Sequence, residues 1–170
     1  MNNSILPNIW RYLGLVAVQV LILKQLSLGT YFTVLLYPLF IFFLPIKLAT
    51  PYLVLLGFWV GLSVDFFYAS LGVHASAGAF SGLARVLVFA TFGPKGGFSG
   101  KEAVFSPQYF GWQSAVSAVA LFMLLHIFWY FSVDEFTFVY LTKITLKTIA
   151  SWFLTMIFVV FYMALFRTKN

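Results

Sequence analysis

The chain has 170 residues, 62% of them hydrophobic and 21% aromatic but only 8% charged, with a mean hydropathy of +0.99. A water-soluble domain carries about 25% charged residues, so the composition excludes a soluble fold and describes one compact domain whose solvent is lipid. The net charge of +6 comes from single, scattered Lys and Arg residues, which exclude a nucleic-acid-binding stripe and read instead as topology determinants and lipid-headgroup contacts.

A transmembrane helix needs roughly 20 mostly apolar residues, and uncharged runs of that order recur along the chain. They predict an all-α integral membrane protein of about six transmembrane helices, at about 10–28, 33–46, 51–68, 74–92, 110–131 and 140–166. The opening MNNSILPNIW has no charged n-region and no small-residue cleavage site, so the first span is expected to remain as an anchor. That span carries Arg11, Gln19 and Lys24, and Lys24 must snorkel to an interface or face protein. The second is short and holds Pro38 and Pro45, which leaves a kinked, tilted or re-entrant path open. Pro51 suits the first turn of the third, and Ser70-Leu71-Gly72 suits a tight turn before the fourth.

A polar loop follows at 93–109, on the cytoplasmic side in this reading. Its Gly96-Gly97-Phe98-Ser99-Gly100-Lys101-Glu102 stretch lacks the spacing of a phosphate-binding loop and reads as a connection. Asp134 and Glu135 lie between the last two spans, and Arg167 and Lys169 end the chain. Six spans place both termini on one side. Arg11, Lys47, Lys95, Lys101, Arg167 and Lys169 favour the cytoplasm for it, against Lys143 and Lys147. A re-entrant second segment would separate the termini.

Polar chemistry inside the membrane concentrates at the third and fourth spans. Gly57, Gly61 and Asp65 share one helical stripe, and His74, Gly78 and Gly82 share another with Arg85 on the adjoining face. Small residues at this spacing let helix backbones approach closely in lipid. Folding the chain about residue 71 brings Asp65, His74 and Arg85 toward a common polar cluster. Such a cluster would be either a ligand or proton site or a set of groups that neutralise one another and fix register. Lys143, Lys147, Ser151 and Thr155 form a second ribbon, which either snorkels and bonds its own helix or faces a partner. His126, beside Trp129 and Tyr130, reads as an interfacial residue with a structural role.

Cysteine is absent, which removes thiol chemistry and thiolate metal sites. Two distant histidines without a carboxylate at ligand spacing do not argue a metal centre. Asp134 and Glu135 are adjacent and would project about 100° apart on a helix, a poor acid–base pair. No catalytic set and no cofactor are expected.

The stretch Gly57-x3-Gly61-Leu62-x2-Asp65 followed by Leu71-Gly72-Val73-His74-Ala75 resembles the rod shape-determining protein MreD family. Asp134-Glu135-Phe136 before a helix bearing Lys147 resembles it as well. The resemblance implies a non-enzymatic cytoplasmic-membrane scaffold subunit of the bacterial cell-elongation machinery. Its partners would be MreC and, through it, MreB and the peptidoglycan synthases, a penicillin-binding transpeptidase and a RodA-type glycosyltransferase. It also implies a fold similar to the substrate-binding subunits of energy-coupling-factor vitamin transporters. Those subunits carry alanines at four-residue spacing in the first span, where this chain offers only Gly14 and Ala17. The alternative is a vitamin-binding transporter subunit with its cavity around Asp65, His74 and Arg85.

Overall fold

The computed structural model describes residues 5–25, 32–70, 72–93, 105, 107–136 and 139–165. They form seven α-helices: α1 (Ile5–Ala17), α2 (Leu39–Phe42), α3 (Thr50–Tyr68), α4 (Val73–Phe92), α5 (Pro107–Phe110), α6 (Trp112–Asp134) and α7 (Leu141–Leu165). α1 runs on as a π-helical turn over Val18–Leu23. Five helices are long and apolar enough to cross a membrane: Leu6–Leu23, α3, α4, α6 and α7. The protein is an all-α, multi-pass membrane protein.

The long helices match the expected spans within a few residues, except that the first begins earlier, at Ile5. Residues 26–31, most of the 93–109 loop, Leu71, Arg167 and Lys169 lie outside the described residues. From that loop Phe105 is described, and it is buried, stacked on Phe110 at 4.4 Å and packed against Phe89 and Phe42.

The second segment is the departure from a simple bundle. Residues 32–36 have no regular structure, α2 is a single turn, and bends follow to Ala49. Leu35, Tyr37, Leu39 and Phe42 are wholly buried, so this stretch runs through the bundle rather than over it. Its neighbours fix its direction. Gln19 bonds Val34 and Leu36, whereas Arg11 bonds Phe43, so it runs antiparallel to α1. Against α7, Ser151 meets Thr33, Thr155 meets Leu35 and Tyr162 meets Phe43, so the two run parallel. The segment therefore returns across the bundle as a broken span. Because it runs antiparallel to α1 and parallel to α7, the ends of the described chain share one face.

α3 and α4 form the tightest pair. Gly57 lies against Gly78, Gly61 against His74 and Ala75, and Gly82 against Leu53 and Val54, backbone on backbone. A Cβ on Gly57 would overlap the Gly78 carbonyl, and one on Gly82 would stand 2.6 Å from the Val54 nitrogen. Lipid supplies no hydrophobic drive to bring helices together, so close dispersion contact holds such a pair. Between the two helices the chain turns through Ala69 (φ 53°) and Gly72 (φ 84°), both left-handed.

Candidate functional site

A non-helical backbone buried at membrane depth must find hydrogen-bond partners in protein, because lipid offers none. The broken span finds them in the polar side chains of the long helices. Gln19, wholly buried in the wide π turn, donates from Nε2 to the Val34 carbonyl at 2.9 Å and accepts the Leu36 N–H at 2.8 Å. Ser151 Oγ accepts from the Thr33 N–H at 3.0 Å and Thr155 Oγ1 from the Leu35 N–H at 3.3 Å. Pro38 and Pro45 have no N–H to satisfy.

Arg85 closes the other end. It is 1% exposed, and its guanidinium donates to three carbonyls: Phe42 at 3.2 Å, Leu44 at 2.5 Å and Pro45 at 3.2 Å. The ring of Phe89 packs on its face at 4.6 Å. A rigid fork of donors suits several fixed acceptors at once.

This placement corrects the expected Asp65–His74–Arg85 cluster. With Gly82 against Leu53 and Val54, Arg85 faces the first turn of α3, while Asp65 stands in its last. Asp65 instead caps α4 from the neighbouring helix. Its Oδ1 accepts the His74 N–H at 3.0 Å and the Ser70 hydroxyl at 2.6 Å, and its Oδ2 accepts the Ala75 N–H at 2.8 Å. Carboxylates are favoured at helix N-termini, where unpaired N–H groups converge. Asp65→Ala should cost about 2 kcal/mol, the upper end for loss of a helix cap, read as a lower unfolding temperature in detergent. An unchanged midpoint would show the cap to be dispensable.

His74 does remain beside Asp65, through its backbone. Its wholly buried ring lies among three phenols: Tyr68 and Tyr130 at 4.9 Å and Tyr37 at 5.5 Å between centroids. His126 reaches the same place from α6, its ring 5.3 Å from that of Tyr37. It is wholly buried rather than interfacial. Trp129, at the partly exposed edge of the same face of α6, stacks on Phe80 at 4.4 Å. Neither ring nitrogen of His74, nor Nε2 of His126, has a hydrogen-bond partner among the described residues. No group of three or more metal-ligating side chains occurs among them.

Lys143 and Lys147 meet at Glu135, which accepts from Lys143 at 3.0 Å and from Lys147 at 2.5 Å. Lys147 is buried against Phe131, so this ribbon turns inward along its length. The two ammonium groups hold the Glu135 carboxyl below its ordinary value of 4.5. A depressed pKa in the folded state gives stability that is complete above the unfolded value and lost as pH falls through the folded one. Acidification below about pH 4.5 should therefore loosen the α6–α7 junction, and Glu135→Gln should remove that part of the acid sensitivity. Identical acid-unfolding profiles for both proteins would count against the ion triad.

Lys24 also reaches protein, donating to the Phe67 carbonyl at 2.5 Å with Tyr68 5.6 Å away.

No family model, curated protein or solved structure matches the chain.

Sequence reasoning found Asp65, His74, Arg85 and the lysine ribbon but missed the inward roles of Tyr37, Gln19 and His126. A signal existed for two of them. Gln19 interrupts an otherwise apolar run, and His126 and Tyr130 are four apart, on one helical face.

Proposed function

We propose that the protein is a non-enzymatic scaffold subunit of the bacterial cell-elongation machinery in the cytoplasmic membrane, with both termini in the cytoplasm. In this reading it binds MreC laterally and, through it, MreB and the peptidoglycan synthases. One observation carries the proposal. Asp65, Arg85, Gln19, Ser151 and Thr155, half of the polar side chains buried among the described residues, bond the protein's own backbone and rigidify a fixed body. A rigid body with apolar flanks is suited to packing against other membrane helices.

The outer surface supports the same reading. Tyr52, Leu55, Trp59 and Phe66 of α3 and Phe153, Ile157 and Phe161 of α7 project outward. A groove of about 430 Å³ opens between α1, α2 and α3, lined by Ile9, Tyr12, Phe40, Leu44, Leu56 and Trp59 among others. It is nearly devoid of polar groups, unlike a site built to orient a vitamin.

Affinity capture of the tagged protein from native membranes tests the proposal. MreC should be recovered with it, and rod shape should depend on it. Gly61→Leu and Asp65→Ala should weaken both. Intact MreC recovery and shape in both variants would remove the role of the α3–α4 pair. A tight, stoichiometric vitamin in a thermal-shift screen would replace the scaffold reading with that of a transporter subunit.

A further inference from the structure

His74 and His126 approach from different helices and flank one phenol ring, that of Tyr37. His126 Nδ1 lies 3.2 Å from the Ala77 carbonyl and 2.6 Å from Ser81 Oγ. A carbonyl oxygen only accepts, and Ser81 Oγ donates to that same carbonyl at 3.0 Å. Nδ1 therefore carries the proton and donates, which leaves the lone pair of Nε2 directed elsewhere in the buried interior. A neutral His74 presents one N–H and one lone pair. These three ring nitrogens are buried and without a hydrogen-bond partner among the described residues, so the imidazoles are not bonded to each other.

The nearby hydroxyls and amides do not answer them. The Tyr37 hydroxyl donates to the His74 carbonyl at 3.3 Å. The Tyr68 hydroxyl exchanges bonds with Gln19, accepting from Nε2 at 3.0 Å and donating to the Gln19 carbonyl at 3.1 Å. Asp65 is committed to Ser70 and the first amides of α4. A buried polar nitrogen without a partner forfeits the hydrogen bonds it would make in water, so three of them call for a guest.

The guest must be small and must both donate and accept. It must also be neutral, because two imidazoles whose neighbouring carboxylate, Asp65, is already committed are a poor match for a divalent cation inside a membrane. Water meets all three conditions and commonly makes two to four such bonds in protein interiors. We infer that His74 and His126 form a binding site for internal water, a hydrated bridge that ties α4 to α6 beside the broken span.

Nuclear magnetic resonance of ¹⁵N-histidine-labelled protein in lipid bilayers tests this. His126 should show a protonated Nδ1 and a bare Nε2, and magnetisation should pass from water to both rings. In His126→Phe the transfer to His74 should fall to baseline while helix content is kept. Should that variant fail to fold, the wild-type spectrum decides alone. Three results would overturn the site: no water transfer to either wild-type ring, undiminished transfer to His74 in a folded His126→Phe, or both rings shifting together with one equivalent of Zn²⁺.

Discussion

Replacing Arg85 with methionine should destabilise the protein more than any other single change to an ionisable residue. The substitution keeps much of the volume but strips a donor from the carbonyls of Phe42, Leu44 and Pro45; the bonds to Phe42 and Leu44 are buried, and lipid offers no replacement. An unsatisfied buried group costs about 1–3 kcal/mol, so the two carbonyls left bare, Phe42 and Leu44, should together lower stability by about 2 kcal/mol or more, while Pro45 keeps the Leu48 N–H. Thermal unfolding in detergent, followed by circular dichroism, would register this as a large fall in midpoint. Arg85→Lys should recover only part of it, because a single ammonium cannot reproduce the fork that spans three acceptors. Full recovery by lysine would mean that charge alone matters there, and a methionine variant as stable as the parent would mean that the broken span needs no bracket.

Gly78→Ala is the second large effect, and it adds a single methyl group. That methyl would overlap the Gly57 carbonyl, a backbone atom unable to swing aside as a side chain can. Overpacking a tight core costs about 1–3 kcal/mol, and here the helices must separate along their length, so the upper end is expected. Loss of the Gly57–Gly78 contact should also carry Asp65 away from the amides of His74 and Ala75. Gly14→Ala is the matching control, because nothing stands within 4 Å of a Cβ at that position. The control should match or slightly exceed the parent in stability, since alanine is the better helix former. Equal midpoints for Gly78→Ala and Gly14→Ala would refute the close approach of α3 and α4.

The helices were legible because length and hydropathy report membrane thickness directly, and glycines four apart report a contact stripe. What the residues left open was register. Folding the chain about residue 71 sets Asp65 opposite residue 78, but the glycine contacts set Gly78 opposite Gly57 and His74 opposite Gly61. The turn at Ala69 and Gly72 causes the shift, and a left-handed alanine has no sequence signature. Arg85 and Asp65 thus lie near opposite ends of the α3–α4 pair. The partners of the broken span were hidden for another reason. Gln19, Arg85, Ser151 and Thr155 meet it across separations of 15 to 120 residues, which no local pattern encodes. Pro38 and Pro45 announced an irregular path without saying what would sustain it. His126 was misplaced by its neighbour Trp129. Positions three apart lie about 60° apart round a helix, which is enough for Trp129 to sit at the partly exposed edge of a face whose buried centre holds His126.

The brackets around residues 32–48 also impose an order on biogenesis. When this stretch leaves the ribosome, Arg85 is some forty residues behind it, and Ser151 and Thr155 are still farther. Until α4 and α7 arrive, only Gln19 and Arg11 of the first helix can answer its N–H and C=O groups, and the rest have no lasting partners in hydrocarbon. It must wait in the insertion machinery or at the wet membrane surface, and a nascent chain released before α7 is made would be a substrate for quality-control proteolysis.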